Sequence, residues 1–152
     1  MNRRQGVLIT AGVVIAAALV VAGALVVGST GRGGGFGMSR GTDRFVLPDA
    51  PKAAPSGKYT AHAEAGPEQN GVPTWVVVIR DQSGGEVFRD EYAYSTRHGV
   101  GITWLSTADQ LWVLSADVGD AHVDPSGSGW VKTTLTPSTL DDKPEEIRDL
   151  GR

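Results

Sequence analysis

The feature that most constrains this chain is an uncharged apolar run near its start, VLITAGVVIAAALVVAGALVVG, residues 7–28. Thr10 is the only polar side chain among these 22 residues. As a helix the run would be about 33 Å long, enough to cross a bilayer core of about 30 Å. A helix on the surface of a soluble core has a polar face, and this run has none. We therefore predict a transmembrane helix over residues 7–28, after a cytoplasmic tail of residues 1–6.

A cleaved signal peptide is the alternative for this run. Signal peptides have shorter apolar regions, followed by small residues at a cleavage site. Here the small residues Ala22, Gly23 and Ala24 lie inside the apolar run. Arg3 and Arg4 directly precede it, so we expect a signal anchor in the cell membrane, with the N-terminus in the cytoplasm and the rest outside.

Small residues recur at four-residue spacing in the predicted helix. Gly12 and Ala16 form one such pair, and Ala24 and Gly28 form another. Such pairs let membrane helices approach closely, so a weak helix–helix dimer is a hypothesis beside the simpler one of a small-residue membrane helix. The lipid bilayer is the expected partner of the run itself.

Residues 29–57 are predicted to be a flexible tether. The first part is rich in Gly and the second in Pro and Ala, so neither buries enough apolar surface to offset the entropy of ordering. The glycine run lacks the flanking strand and helix of a phosphate-binding loop. The segment carries four basic and two acidic residues, whereas residues 58–152 carry eight basic and fifteen acidic ones, a net charge of −7. This acidity argues against nucleic acid as a partner.

Short apolar runs separated by turn residues predict an antiparallel β-domain over residues 58–136. The predicted strands are 58–65, 74–80, 86–94, 100–106, 110–115, 121–123 and 130–135. Asn70-Gly71 is a strong hairpin signal. Crossover helices have no room between the strands, so a parallel sheet is excluded. A twisted sheet, a small sandwich and a partial barrel remain open.

The C-terminal segment, residues 137–152, is predicted to hold a short helix. Pro144 suits a first helical turn, and Glu145 and Glu146 then lie favourably near the positive end of the helix dipole. The fold class is thus an N-terminal transmembrane helix, a tether, and a mainly-β extracytoplasmic domain with a short C-terminal helix.

This layout resembles small single-pass membrane-anchored proteins of high-GC bacteria such as actinomycetes. The features that carry the resemblance are the Ala/Val/Gly-rich anchor, the Gly/Pro/Ala-rich tether and the Trp-bearing β-domain. The resemblance implies no functional residues.

Residues with possible site chemistry are few and scattered. They are the histidines His62, His98 and His122, the acidic residues Glu64, Asp90 and Glu91, a second acidic group Asp117, Asp120 and Asp124, and the serines Ser126 and Ser128. No pair of histidines has a zinc-ligand spacing, and the second acidic group lacks the calcium-loop pattern, so turn formation explains it better than metal binding. No serine lies in a nucleophile elbow. We expect no catalytic residue, metal or other cofactor.

The four tryptophans Trp75, Trp104, Trp112 and Trp130 are either core residues or exposed binding residues. Trp75 and Trp112 have the most apolar neighbours and should be the most buried. The function predicted is a non-catalytic interaction module acting on another membrane or envelope protein. A domain that binds a cell-envelope small molecule or a cell-wall ligand is the alternative, and an unrecognised hydrolase is the third possibility.

Overall fold

A computed structural model describes residues 43–151. It contains eight strands, most of them where apolar and polar residues alternate in the sequence. The strands are β1 (Lys52–Ala53), β2 (Tyr59–Gln69), β3 (Val72–Asp81), β4 (Glu86–Ser95), β5 (Val100–Trp104), β6 (Leu111–Ser115), β7 (Ala121–Ser126) and β8 (Gly129–Thr134). One α-helix, α1 (Glu145–Arg148), follows in the described part of the chain. The predicted mainly-β domain with a short C-terminal helix is confirmed.

The strands form two antiparallel sheets of four, each a simple meander. The N-terminal sheet has the order β1-β2-β3-β4, and the C-terminal sheet has the order β5-β6-β7-β8. The outer strands of the two sheets approach each other, β1 beside β5 and β4 beside β8. A single twisted sheet is thereby excluded.

The β2–β3 hairpin follows directly from the sequence. Asn70 and Gly71 form its two-residue turn, with φ values of 51° and 74°. Positive φ at both central residues is the pattern of a type I′ turn, whose twist matches that of the flanking strands. The turn brings Gln69 opposite Val72, and a one-residue register shift between Gly66 and Gln69 then pairs Ala61 with Ile79 and Ala63 with Val77. All four side chains are buried on the same face of the sheet.

One hydrophobic core lies between the two sheets. Its buried strand residues are Ala61, Ala63, Val77, Ile79 and Tyr94 from the N-terminal sheet, and Ile102, Trp104, Leu111, Val113 and Val123 from the C-terminal sheet. Trp130 packs against its edge, with its ring centroid 4.9 Å from that of Tyr59. A chain of this size without disulfides depends on such a shared core for most of its stability.

The end of the predicted tether belongs to this folded unit. Residues 43–57 contain β1 and the buried side chains of Val46 and Ala54. The Val46 N–H donates to the Ile102 carbonyl at 2.8 Å, so this stretch lies along the outer edge of β5. The average composition predicted a flexible coil, whereas buried apolar residues, the pairing of β1 with β2 and the Val46 hydrogen bond fix this part to the sheets.

The predicted membrane helix, residues 1–6 and residues 29–42 lie outside the described residues. Between residues 43 and 151 there is no helix long and apolar enough to cross a membrane.

Candidate functional site

The most developed polar site lies between β4 and β8, where the two sheets meet. The Asp90 carboxylate on β4 accepts from the Lys132 ammonium on β8 through both of its oxygens, at 2.9 and 2.8 Å. The Tyr94 hydroxyl donates to the same carboxylate at 2.8 Å, and the Tyr92 backbone N–H donates at 3.0 Å. The Asp90 side chain is 3% exposed and that of Lys132 is 25% exposed. This ion pair therefore joins the two sheets.

A bulge in β4 places Asp90 at this position. Thr74 pairs with Ser95 and Val78 pairs with Arg89, so β4 has two more residues than β3 between these points. Extra residues bend an edge strand and redirect its side chains. The Tyr92 N–H donates to the Asp90 side chain within the bulge, which holds it in place.

Burial and the neighbouring Asp90 carboxylate raise the pKa of Tyr94 well above its ordinary value. Tyr94 therefore keeps its proton and acts as a hydrogen-bond donor. Lys132 also lies near both tyrosine rings, 5.1 Å from the centroid of Tyr94 and 5.9 Å from that of Tyr92. These contacts add cation–π attraction to the ion pair at the sheet junction.

An open cleft of about 550 Å³ lies directly beside the ion pair. We call it the β4–β8 cleft, and its walls are Phe88, Arg89, Asp90, Glu91, Tyr92, Lys132 and Thr134. The Tyr92 ring is 40% exposed and packs edge-on against Tyr94, with centroids 4.9 Å apart. The cleft thus presents an aromatic ring beside several hydrogen-bonding side chains.

A second polar network covers the outer face of the C-terminal sheet. The His122 imidazole is hydrogen-bonded through Nδ1 to Asp124 and lies against Trp112, with ring centroids 5.0 Å apart. Gln110 donates to Asp124 at 2.7 Å and accepts from the Trp112 indole N–H at 2.7 Å. A carboxylate that orients an imidazole is one part of a catalytic triad. Nucleophilic catalysis also needs an adjacent hydroxyl or thiol.

The acidic residues considered as metal ligands have separate partners. Asp120 bonds to Lys143, Asp124 to His122, and Asp117 lies 3.9 Å from His98. Among residues 43–151 no group of three or more His, Asp or Glu side chains converges as a metal site.

His62 and Glu64 lie on the outer face of the N-terminal sheet, because their neighbours Ala61 and Ala63 face the core. Glu64 accepts from Arg80 at 2.5 Å and from Arg89 at 2.6 Å, so it forms no carboxylate pair with Asp90. Burial and the nearby Arg80 charge lower the pKa of His62, which is therefore neutral at pH 7. Ser126 and Ser128 are exposed around the β7–β8 turn.

The tryptophans divide into two buried and two half-buried residues. Trp112 is 2% exposed and Trp104 is 6% exposed, whereas Trp75 and Trp130 are half-buried. Trp104, rather than Trp75, is therefore buried as deeply as Trp112. The reason is that Trp104 faces the core and donates its indole N–H to the Lys52 carbonyl at 2.8 Å.

The C-terminal segment is fixed by ion pairs. Glu146 bonds to Arg44 at 3.0 Å and accepts from the Ser106 N–H at 2.7 Å, and Lys143 bonds to Asp120. Burial raises the pKa of Glu146, but its hydrogen bonds from Ser106 and Arg44 outweigh burial and hold this pKa below its ordinary value. Ile147 is fully buried in the same segment.

An apolar groove of about 420 Å³ opens where the first and last described residues meet the C-terminal sheet. It is lined by Phe45, Leu47, Gly99, Val100, Gly101, Leu114 and Leu150. Phe45 lies so close over Gly101 that an added Cβ there would be 2.9 Å from the Phe45 ring. Leu47, at one wall, is 41% exposed.

Sequence reasoning missed the Asp90–Lys132 pair. The signal that could have revealed it is the alternation in β8, which puts Lys132 on the same face as Trp130. A lysine on an apolar face needs an acidic partner, because an unpaired buried charge is costly.

Comparison of the chain with protein-family models, curated proteins and solved structures finds no match.

Proposed function

We propose that the protein is a single-pass, membrane-anchored, non-catalytic interaction module. In this proposal the N-terminus is cytoplasmic, the β-domain lies outside the cytoplasm, and the apolar groove receives apolar side chains of a neighbouring membrane or envelope protein. The observation that carries the proposal is the groove itself. Its open apolar walls include Leu47, and exposed contiguous apolar surface is typical of interaction sites.

The position of the groove along the chain supports a partner at the membrane. Phe45 and Leu47 line it, and only residues 29–42 separate the described domain from the predicted membrane helix. A Gly-rich coil of that length has an end-to-end distance of about 20 Å. Such a tether raises the effective concentration of the groove for proteins in the same membrane, so modest contacts suffice for binding.

Site-specific photo-crosslinking in native membranes tests this proposal. A benzophenone amino acid replaces Leu47 in one variant and Leu140 in the control, because Leu140 is a 50% exposed leucine outside the groove. We expect a discrete adduct with a membrane or envelope protein from position 47 and none from position 140. The additional substitution Leu150→Asp, in the groove wall, should abolish this adduct.

Three results would contradict the proposal. They are equal adducts from both positions, an adduct only with lipid, and an adduct only with a second copy of the chain. Orientation is tested separately by fusing alkaline phosphatase after Arg152. The enzyme should be active, since it folds only outside the cytoplasm, and a fluorescent cytosol-only reporter at the same place should be dark.

A ligand-binding domain for a cell-envelope small molecule or cell-wall component is the second candidate. The β4–β8 cleft favours it, because its volume lies within the roughly 300–1,000 Å³ usual for ligand sites.

A further inference from the structure

The β4–β8 cleft combines an aromatic ring with balanced charge. Its walls carry two cationic side chains, Arg89 and Lys132, and two anionic ones, Asp90 and Glu91. Lys132 is bound to Asp90, and Arg89 is bound to Glu64 and Glu86 at 2.6 and 2.9 Å. A charged ligand would compete with these ion pairs and meet no net opposite charge. The cleft therefore favours a ligand that is polar and uncharged.

Tyr92 supplies a stacking surface for such a ligand. It is the only aromatic among the large apolar side chains that are exposed in the described residues. The Tyr92 ring contacts Tyr94, with centroids 4.9 Å apart, and its centroid lies 5.9 Å from the Lys132 ammonium, and these contacts favour its position at the cleft. The negative face of an aromatic ring attracts polarised C–H groups, which cover the faces of sugar rings.

The side chains beside Tyr92 offer the hydrogen-bond donors and acceptors that a ligand with many hydroxyl groups needs. Thr134 offers a hydroxyl that both donates and accepts, and Glu91 accepts. Arg89 bonds to Glu64 and Glu86 through Nε and Nη2, so the N–H groups of its Nη1 are the donors for a ligand. Glu91 and Thr134 are exposed to solvent, so a ligand can reach both.

We infer that the β4–β8 cleft binds a neutral carbohydrate, with Tyr92 stacking on a sugar ring and Arg89, Glu91 and Thr134 bonding to its hydroxyl groups. This inference concerns a different surface from the apolar groove and does not depend on a protein partner.

Calorimetric titration of the full-length protein tests the inference. The protein is kept in a detergent without a sugar headgroup, and the probes are tetrasaccharides of glucose, mannose and N-acetylglucosamine. We expect at least one neutral probe to bind with a Kd of about 1 mM or lower. Tyr92→Ala should weaken that binding about tenfold or more, and Tyr92→Phe should leave it nearly unchanged, since Phe keeps the ring.

Controls separate loss of binding from loss of folding. Leu140→Ala, at an exposed site outside the cleft, should leave both binding and melting unchanged. Each Tyr92 variant should melt within a few degrees of the unmodified protein. If Tyr92→Ala unfolds the domain, Glu91→Gln and Thr134→Val replace it, and each should weaken binding severalfold with unchanged melting.

The source of the sugar is resolved by comparing soluble and insoluble probes. Binding to a free tetrasaccharide alone indicates a soluble sugar, and co-sedimentation with insoluble chitin or cellulose indicates a wall polymer. The inference is overturned if no neutral probe binds at about 10 mM. It is also overturned if Tyr92→Ala binds as tightly as the unmodified protein while folded, or if a tetrasaccharide of galacturonic acid or glucosamine binds more tightly than every neutral one.

Discussion

Replacing Lys132 by Met should strongly destabilise the β-domain, because it leaves the Asp90 carboxylate buried without its cation. Lys132 supplies contacts to both oxygens of Asp90, and among residues 43–151 the Tyr94 hydroxyl and the Tyr92 N–H are the donors that remain. Removing one partner of a buried ion pair costs about 3–5 kcal/mol. Lys132 is 25% exposed, so we expect the lower end, about 3 kcal/mol. For a domain of this size that lowers Tm by about 12–15 °C.

Urea and thermal unfolding of residues 43–152, followed by tryptophan fluorescence, would measure this loss. Lys58→Met is the matched control, because Lys58 is exposed, and it should change stability by less than about 0.5 kcal/mol. The double variant Asp90→Asn, Lys132→Met should lose less than the sum of the two single variants, since neither charge is then unpaired. A loss below about 1 kcal/mol for Lys132→Met, or strict additivity, would refute the reasoning.

Three further predictions concern the core, the domain boundary and pH. Trp112→Ala should cost about 3–5 kcal/mol and abolish cooperative melting by near-UV circular dichroism, because Trp112 is 2% exposed; unchanged melting with lost binding would make it a binding residue instead. Residues 43–152 should melt cooperatively, whereas residues 58–152 should not, because they lack the buried Val46. Glu146 has a lowered pKa in the folded state, so its stabilisation is present above its unfolded pKa of about 4.3 and is lost as pH falls through the lower folded value. The stability difference between Glu146→Gln and the unmodified domain, measured by urea midpoints from about pH 7 to pH 3, should therefore disappear at the acid end, and a difference that is constant with pH would contradict it.

The alternation of apolar and polar residues and the positions of turn residues predicted most of the strands. Alternation placed Ala61 and Ala63 on one face of β2, and Asn70-Gly71 set the turn that joins β2 to β3, although the register shift between Gly66 and Gln69 was not predicted. Each of these signals lies within a few neighbouring residues. The backbone conformation of such a short stretch can be predicted from its own sequence.

Contacts between residues far apart in the chain could not be predicted from these local signals. β1 has only two residues and depends on pairing with β2, so no periodicity could reveal it. The cleft requires the β4 bulge and β8 to meet across the two sheets, and Asp90 and Lys132 are 42 residues apart. Nothing in the local pattern around Asp90 indicates which lysine it will bind.

The hydrogen bond from Val46 to Ile102 has a consequence for self-association. The outer edge of a strand presents unpaired N–H and C=O groups, which are a template for pairing with another chain. The stretch that contains Val46 and β1 covers this edge of β5. Removal of residues 43–53 would therefore uncover this edge as a polymerisation surface as well as weaken the core. The stretch from Val46 to β1 thus protects the domain against edge-to-edge aggregation.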